Sequence, residues 1–281
     1  MIDHSSIDRT AVDVNDRVDR NAHKGVVNYR GKLSVWLVDP AWLAPSGSCS
    51  LSDTDVHIWR CWLDQPAWRV QQLAQTLSAD EWVRANRFHF EIDGARFIAG
   101  RSVLRSILGH YLGIEPGQVQ LCYGRHGKPC LHEALNAAMI RFSVAHSHQL
   151  AVYAFACARE IGIDLEYARP MTRVQEIAAG FMSAREIALL SKLPMGQQQE
   201  AFYLCWTRKE AYIKATGIGL DQPLERFEVS LLPGEPARLL NVEGNPSETH
   251  RWSLQSLRPA PGYVATLAIE GQDWHATCWD L

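Results

Sequence analysis

The sequence predicts an α+β fold made of two similar, pseudo-symmetric halves, with helices segregated from a largely antiparallel sheet. Three observations predict it. A strand, a capped helix and a long helix occur twice in the same order. Both capped helices open on the same Ser-x-x-Glu box. The last fifty-odd residues read as short strands bounded by Pro and Gly turns.

The elements follow in order. Residues 1 to about 32 are polar, intersperse Asp with Arg, and have no lasting periodicity, which predicts a mobile leader. Leu33 to Leu43 is more apolar and is expected to dock on the body, and Pro45 to Ser50 reads as a loop. Folding proper begins near Val56, which gives an N-terminal extension over 1–53, a first half over 54–160 and a second half over 161–281. In the first half, Val56 to Asp64 is a strand, Leu77-Ser78-Ala79-Asp80-Glu81 opens a helix, and Arg96 to Leu112 is an amphipathic helix ended by Gly113. Leu150 to Ala158 reads as a buried strand. The second half runs Ile161 to Glu166 as strand, Met182-Ser183-Ala184-Arg185-Glu186 as a helix start, and Glu200 to Thr216 as a long helix ended by Gly217. Strands follow at Phe227 to Leu231, Trp252 to Leu257, Val264 to Ile269 and His275 to Trp279. Such an order also recurs by chance in α+β chains. If it is a duplication, the cleft between the halves is the expected ligand site.

Composition narrows the function. The 281 residues, 47% hydrophobic, suffice for a sizeable core, and the formal charge of −3 gives no global basic field of the kind nucleic-acid binding uses. No apolar run reaches the ~18 to 20 residues a membrane helix needs. Seven Cys without a CxxC pair, and no basic-then-apolar N-terminus, point to reduced thiols and a cytoplasmic location. The eleven His include no HExxH.

Two stretches carry the chemistry. In Ile161-Gly162-Ile163-Asp164-Leu165-Glu166, strand alternation puts Asp164 and Glu166 on one face. In Trp206-Thr207-Arg208-Lys209-Glu210-Ala211-Tyr212-Ile213-Lys214, helical spacing puts Trp206, Glu210 and Lys214 on another. Paired carboxylates repel unless a cation or proton separates them, and hard oxygen ligands suit Mg²⁺ beside a diphosphate. Plainer readings exist for each piece. A Glu and a Lys four apart also form an ordinary exposed helix pair, and an Asp-x-Glu strand also serves as a solvated face.

With both stretches in view, the chain resembles the 4′-phosphopantetheinyl transferases of the broad-specificity, Sfp-type class. The Gly-Ile-Asp-Leu-Glu strand and the Trp-x-x-Lys-Glu-Ala-x-x-Lys helix, in this order and at this separation, match that family's signature motifs. Gly127-Lys128-Pro129 and Phe142-Ser143-Val144-Ala145-His146-Ser147 agree more loosely, with Ser143 and Ala145 where the family has Asn and Ser. Arg87-Phe88, Arg96 and the Gly100-Arg101 helix agree more weakly still. The resemblance covers about residues 54 to 270.

It implies a monomeric, Mg²⁺-dependent enzyme that moves 4′-phosphopantetheine from coenzyme A to a serine of an acyl or peptidyl carrier protein and releases 3′,5′-ADP. Asp164, Glu166 and Glu210 are then the expected metal ligands, Glu210 also the candidate base and Lys214 the catalytic cation. Arg96, Lys128, His146, Asp164, Lys209 and Lys214 are the expected coenzyme A contacts, with Arg96, Lys128 and His146 at the nucleotide end. Arg101 and Arg105 face solvent or carrier, Trp206 anchors the core, and Gly162 lets substrate or backbone approach. With Ala145 in place of the family's serine, its ligand contact is expected to be lost, moved to Ser147 or supplied by backbone. Phe181, Met182 and the Arg173 to Lys192 region are the expected carrier surface. Two rival readings stay open: a Mg²⁺-dependent coenzyme A or nucleotide diphosphate hydrolase, and a noncatalytic carrier-binding or coenzyme A-binding module.

Overall fold

The computed structural model describes residues 38–45 and 50–281, so the expected leader and most of the Pro45–Ser50 loop lie outside the described residues. The first half holds β1 (Trp42–Leu43), β2 (Asp55–Trp62), α1 (Ala67–Ala74), α2 (Ala79–Ala85) and α3 (Glu91–Leu112). Two hairpins complete it, β3 (Leu121–Tyr123) with β4 (Pro129–Leu131) and β5 (Ile140–Ser147) with β6 (Leu150–Cys157). The second half holds β7 (Ile161–Tyr167), α4 (Val174–Ala178), α5 (Ala184–Lys192), α6 (Met195–Thr216), β8 (Phe227–Val229) and β9 (Leu239–Val242). It ends in α7 (Glu248–Arg251), β10 (Trp252–Leu257), β11 (Tyr263–Glu270) and β12 (His275–Asp280).

The order of elements is repeated in three dimensions, down to buried charge. The helices α3 and α6 are each 22 residues long and each closes on a left-handed glycine, Gly113 (φ 66°) and Gly217 (φ 69°), because only glycine enters that conformation without a Cβ penalty. Both begin several residues earlier than their apolar periodicity predicts. The short helices α2 and α5 both carry the expected capping box, on Ser78 with Glu81 and on Ser183 with Glu186. In each half the box glutamate is buried and takes a cation from the long helix. Arg105 Nε donates to Glu81 at 2.6 Å and Lys209 Nζ meets Glu186 at 2.8 Å, and each cation lies eight positions before the glycine that ends its helix.

The two larger sheets are β1-β12-β2-β6-β5 and β10-β11-β7. Alternation gives each two apolar faces. Ile58, Val152 and Ala154 of the first sheet pack with Ile161, Ile163 and Leu165 of the second in one shared core, while α3 covers the outer face of the first and α6 that of the second. β12 leaves the second half, inserts between β1 and β2 and pairs parallel with both, so the sheet is mixed and residues 161–281 do not close on themselves. Of the apolar stretch Leu33 to Leu43, residues 33–37 lie outside the described residues; in the rest, Val38 bridges Leu257 and Trp42–Leu43 pairs with β12.

The sheets join at the edges of β5 and β7 through side chains. Ser143 Oγ accepts the Ile163 N–H and Ser147 Oγ the Tyr167 N–H, both at 3.1 Å, so two serines satisfy donors that a further strand would otherwise take. Between them Ala145 is buried in the shared core.

Gly162 fixes how α6 sits on β7. A Cβ there would stand 2.1 Å from the Ala211 carbonyl oxygen and 2.4 Å from the Ala215 nitrogen, which is helix backbone and cannot yield. The close approach expected at this glycine is therefore made by α6 and not by substrate. Gly162→Ala is expected to lower stability by at least the upper part of the ~1–3 kcal/mol typical of overpacking. Urea unfolding checks this, and the loss should appear with no ligand present.

Candidate active site

The β7 positions 162, 164 and 166 face α6, and the α6 face that meets them carries Trp206, Glu210 and Lys214. Lys214 Nζ donates to Asp164 Oδ1 at 2.6 Å. Trp206 Nε1 donates to Glu166 Oε1 at 3.0 Å, and Ser147 Oγ donates to Glu166 Oε2 at 3.0 Å. Asp164 Oδ2 is buried with no hydrogen-bond partner, an orphaned acceptor of the kind native structures rarely leave.

Electrostatics follow from this crowding. Burial raises the Asp164 carboxyl, against the pull of Lys214. Burial, then repulsion from Asp164, lifts both Glu166 and Glu210 to about 7. Burial works against the Lys214 ammonium, but Asp164, Glu210 and Glu166 together hold its pKa above the ordinary lysine value. Three acids on one half-buried lysine leave excess negative charge at pH 7, which a divalent cation would relieve. No group of three or more His, Cys, Asp or Glu among the described residues is arranged to hold a metal ion. The expected triad is thus not a preformed cage here, because Lys214 holds Asp164 while Trp206 and Ser147 hold Glu166.

Several expected contacts move. Lys209 is fully buried on the far side of α6, bound to Glu186 and to the carbonyls of Leu224 (2.7 Å) and Phe227 (2.5 Å), so its three donors are used and it reaches no phosphate. Lys128 Nζ donates to the carbonyls of Ile161 (3.0 Å) and Lys214 (2.6 Å), bracing the start of β7 against the end of α6, and burial lowers it to about 8. Arg96 forms a two-pronged pair with Asp64 at 2.6 and 3.1 Å. His146 is exposed near the end of β5, on the strand face opposite Ser147.

Arg105 is buried against Glu81 and the carbonyls of Pro116 and Val119, and Arg101 stands over the rings of Phe97 and Tyr123, so neither is the solvent or carrier contact expected. Phe181 and Met182 are core residues and offer a carrier no surface, whereas Arg173, Arg185 and Lys192 are exposed. Cys122 and Cys130, opposite each other on β3 and β4, form a disulfide where free thiols were expected. No helix among the described residues is long and apolar enough to cross a membrane.

Sequence reasoning missed the two donors that grip Glu166. Trp206 reads as core because it begins an apolar helical face. Its place four positions before Glu210 was the available signal, since it shares the face that meets the acids. Ser147 is the serine left at the end of β5 once Ala145 turns inward.

An acidic strand thus lies clamped under a lysine-bearing helix, at a seam between two like α+β units. Comparison with known proteins makes this specific. Residues 160–268 match the 4′-phosphopantetheinyl transferase superfamily, and residues 60–158 match the 4′-phosphopantetheinyl transferase N-terminal family. The chain is 44% identical to the 4′-phosphopantetheinyl transferase HetI of Nostoc sp., over 86% of this chain and 99% of that protein. It is 31% identical to a putative 4′-phosphopantetheinyl transferase, slr0495, of Synechocystis sp. (79% and 86% covered), and 28% identical to the transferase Sfp of Bacillus subtilis (63% and 77%). The chain belongs to the 4′-phosphopantetheinyl transferase superfamily, as an Sfp-type enzyme.

Two outcomes are expected. Lys209→Met leaves Glu186 buried without its cation and destabilises by about 3–5 kcal/mol. Adding Glu186→Gln recovers part of that loss in thermal melts. The second concerns pH. Glu166 and Glu210 have folded pKa values of about 7 against 4.5 for the free group, so the folded chain binds more protons in that window. Their ionisation therefore removes stability as pH rises from 4.5 to 7. In chelator, a Tm series should fall across that range, and Glu166→Gln/Glu210→Gln should flatten the slope.

Proposed function

We propose that the chain transfers the 4′-phosphopantetheine group of coenzyme A to a serine hydroxyl of an acyl or peptidyl carrier protein, releasing 3′,5′-ADP, and that Mg²⁺ is required. The observation that supports this most directly is the unpartnered, buried Asp164 Oδ2 beside two glutamates held near neutral pKa. These groups suit a hard divalent cation, and Asp164, Glu166 and Glu210 would hold it. Bound there, the ion would offset diphosphate charge.

The chain's own residues supply the rest. Trp206 and Ser147 fix both oxygens of Glu166, so that carboxylate is set before substrate arrives. Lys214 offsets charge that builds on the leaving phosphate. Lys128 keeps strand and helix in register from the far end of the contact. Arg96 and His146 meet the nucleotide end, and the exposed Arg173, Arg185 and Lys192 meet an acidic carrier.

Chemistry at the serine needs a base. The serine oxygen bonds to the β-phosphorus of coenzyme A as the bond from that phosphorus to the bridging oxygen breaks, and the serine proton passes to Glu210. A free glutamate, at 4.5, is a weak base for a hydroxyl. Burial and Asp164 bring Glu210 to about 7, which matches it to the task.

The test is to incubate the chain with coenzyme A, Mg²⁺ and an apo carrier protein and weigh the carrier. Transfer adds the mass of one phosphopantetheine, whereas consumption of coenzyme A with no gain on the carrier indicates hydrolysis. Glu210→Gln should lower kcat about 100-fold or more at saturating Mg²⁺. Near-normal turnover would sink the base role. Lys214→Met should cost on the order of 100- to 1,000-fold in kcat.

A further inference from the structure

The repeat in the fold gives the active site a counterpart in the first half. Asp164 lies nineteen positions before the capping Ser183, and Trp59 lies nineteen before the capping Ser78. Counting the same way sets Gly162 with His57 and Glu166 with Cys61. Counting back from the closing glycines Gly217 and Gly113 sets Glu210 with Ser106, Lys214 with His110 and Ala215 with Tyr111. The contacts agree with this alignment. Gly162 abuts Ala215, and His57 Nδ1 lies 2.7 Å from Tyr111 Oη.

Trp59, Cys61, Ser106 and His110, the four counterparts of the catalytic set, all line one cavity of about 490 Å³. The site where the second half gathers three acids and a lysine is, in the first half, a concave space that Leu281 also lines and whose lining holds no Asp or Glu side chain among the described residues. Its size falls within the range of small-molecule sites. Trp59 and Cys61 form a buried floor, and Leu73, Val103 and Ile107 form apolar walls. Arg69 stands at the edge. It gives one N–H to Gln72 and pairs with no carboxylate among the described residues; burial and then Asp280 raise the Cys61 thiol, and Arg69 lowers it. Walls of this kind exclude a nucleotide or diphosphate. They suit a compact apolar tail ending in one negative charge.

We propose that this cavity is a second ligand site, for a monocarboxylate with a short aliphatic or aromatic tail whose carboxylate pairs with Arg69. Its occupant is unrelated to coenzyme A, and the two sites fill independently.

The probe is 4-phenylbutanoate, titrated calorimetrically into the full chain, with 4-phenylbutan-1-ol as its neutral analogue. The expected result is binding at one site per chain that persists under saturating coenzyme A and Mg²⁺. Arg69→Gln should weaken the acid about tenfold, the scale of one charged hydrogen bond, while leaving the alcohol unchanged. Val103→Trp fills the cavity and should abolish binding of both compounds while carrier modification continues. Ser106→Phe, at an exposed position, blocks the same space where the Val103 variant fails to fold. Absence of binding, displacement by coenzyme A, or full affinity in a folded blocking variant would each overturn the proposal.

Discussion

The contact between α6 and β7 at Gly162 is the constraint on which the site depends. A helix normally rests on a strand through side chains, at a distance set by their size. Here a missing Cβ lets the helix carbonyl of Ala211 and the nitrogen of Ala215 come against the strand itself. That close approach brings Lys214 onto Asp164 and Trp206 onto Glu166. The raised pKa values of the acids result from the same closeness, since burial is the largest cause for all three.

Such a site needs a helix that does not move, and buried charge on its other side provides this. Lys209 ties α6 to the capping box of α5 and to the carbonyls of Leu224 and Phe227. Arg208, also buried, adds hydrogen bonds to Ser230 and Ser256. Arg105 performs the Lys209 role on α3. Of the charged run Arg208-Lys209-Glu210, the first two side chains therefore hold the helix in place and only the third faces the acids. Lys209, next to Glu210 in sequence, is about one hundred degrees away from it on the helix.

The halves are not separable units. The β5 strand lends Ser147 to Glu166 of the second half, and β12 crosses back to pair with β2 in the first. The candidate site thus takes its strand and helix from one half and one orienting hydroxyl from the other. The repeat itself is retained in length, capping and buried charge, while the side chains facing the long helices have diverged from acids and lysine in one half to Trp59, Cys61, Ser106 and His110 in the other.

Local signals determined much of this from sequence alone. Alternation put Asp164 and Glu166 on one strand face, helical spacing put Glu210 and Lys214 on one helix face, and the Ser-x-x-Glu boxes and closing glycines marked helix ends. These are legible because they depend on neighbours a few residues away. Tertiary structure decided the directions that depend on distant partners. It sent Lys209, Arg101 and Arg105 inward to buried glutamates, gave Lys128 to two carbonyls, paired Arg96 with Asp64, and placed β12 in the other half's sheet. A charged side chain reads as exposed in sequence because the partner that makes its burial tolerable lies tens of residues away, and only the folded chain brings the two together.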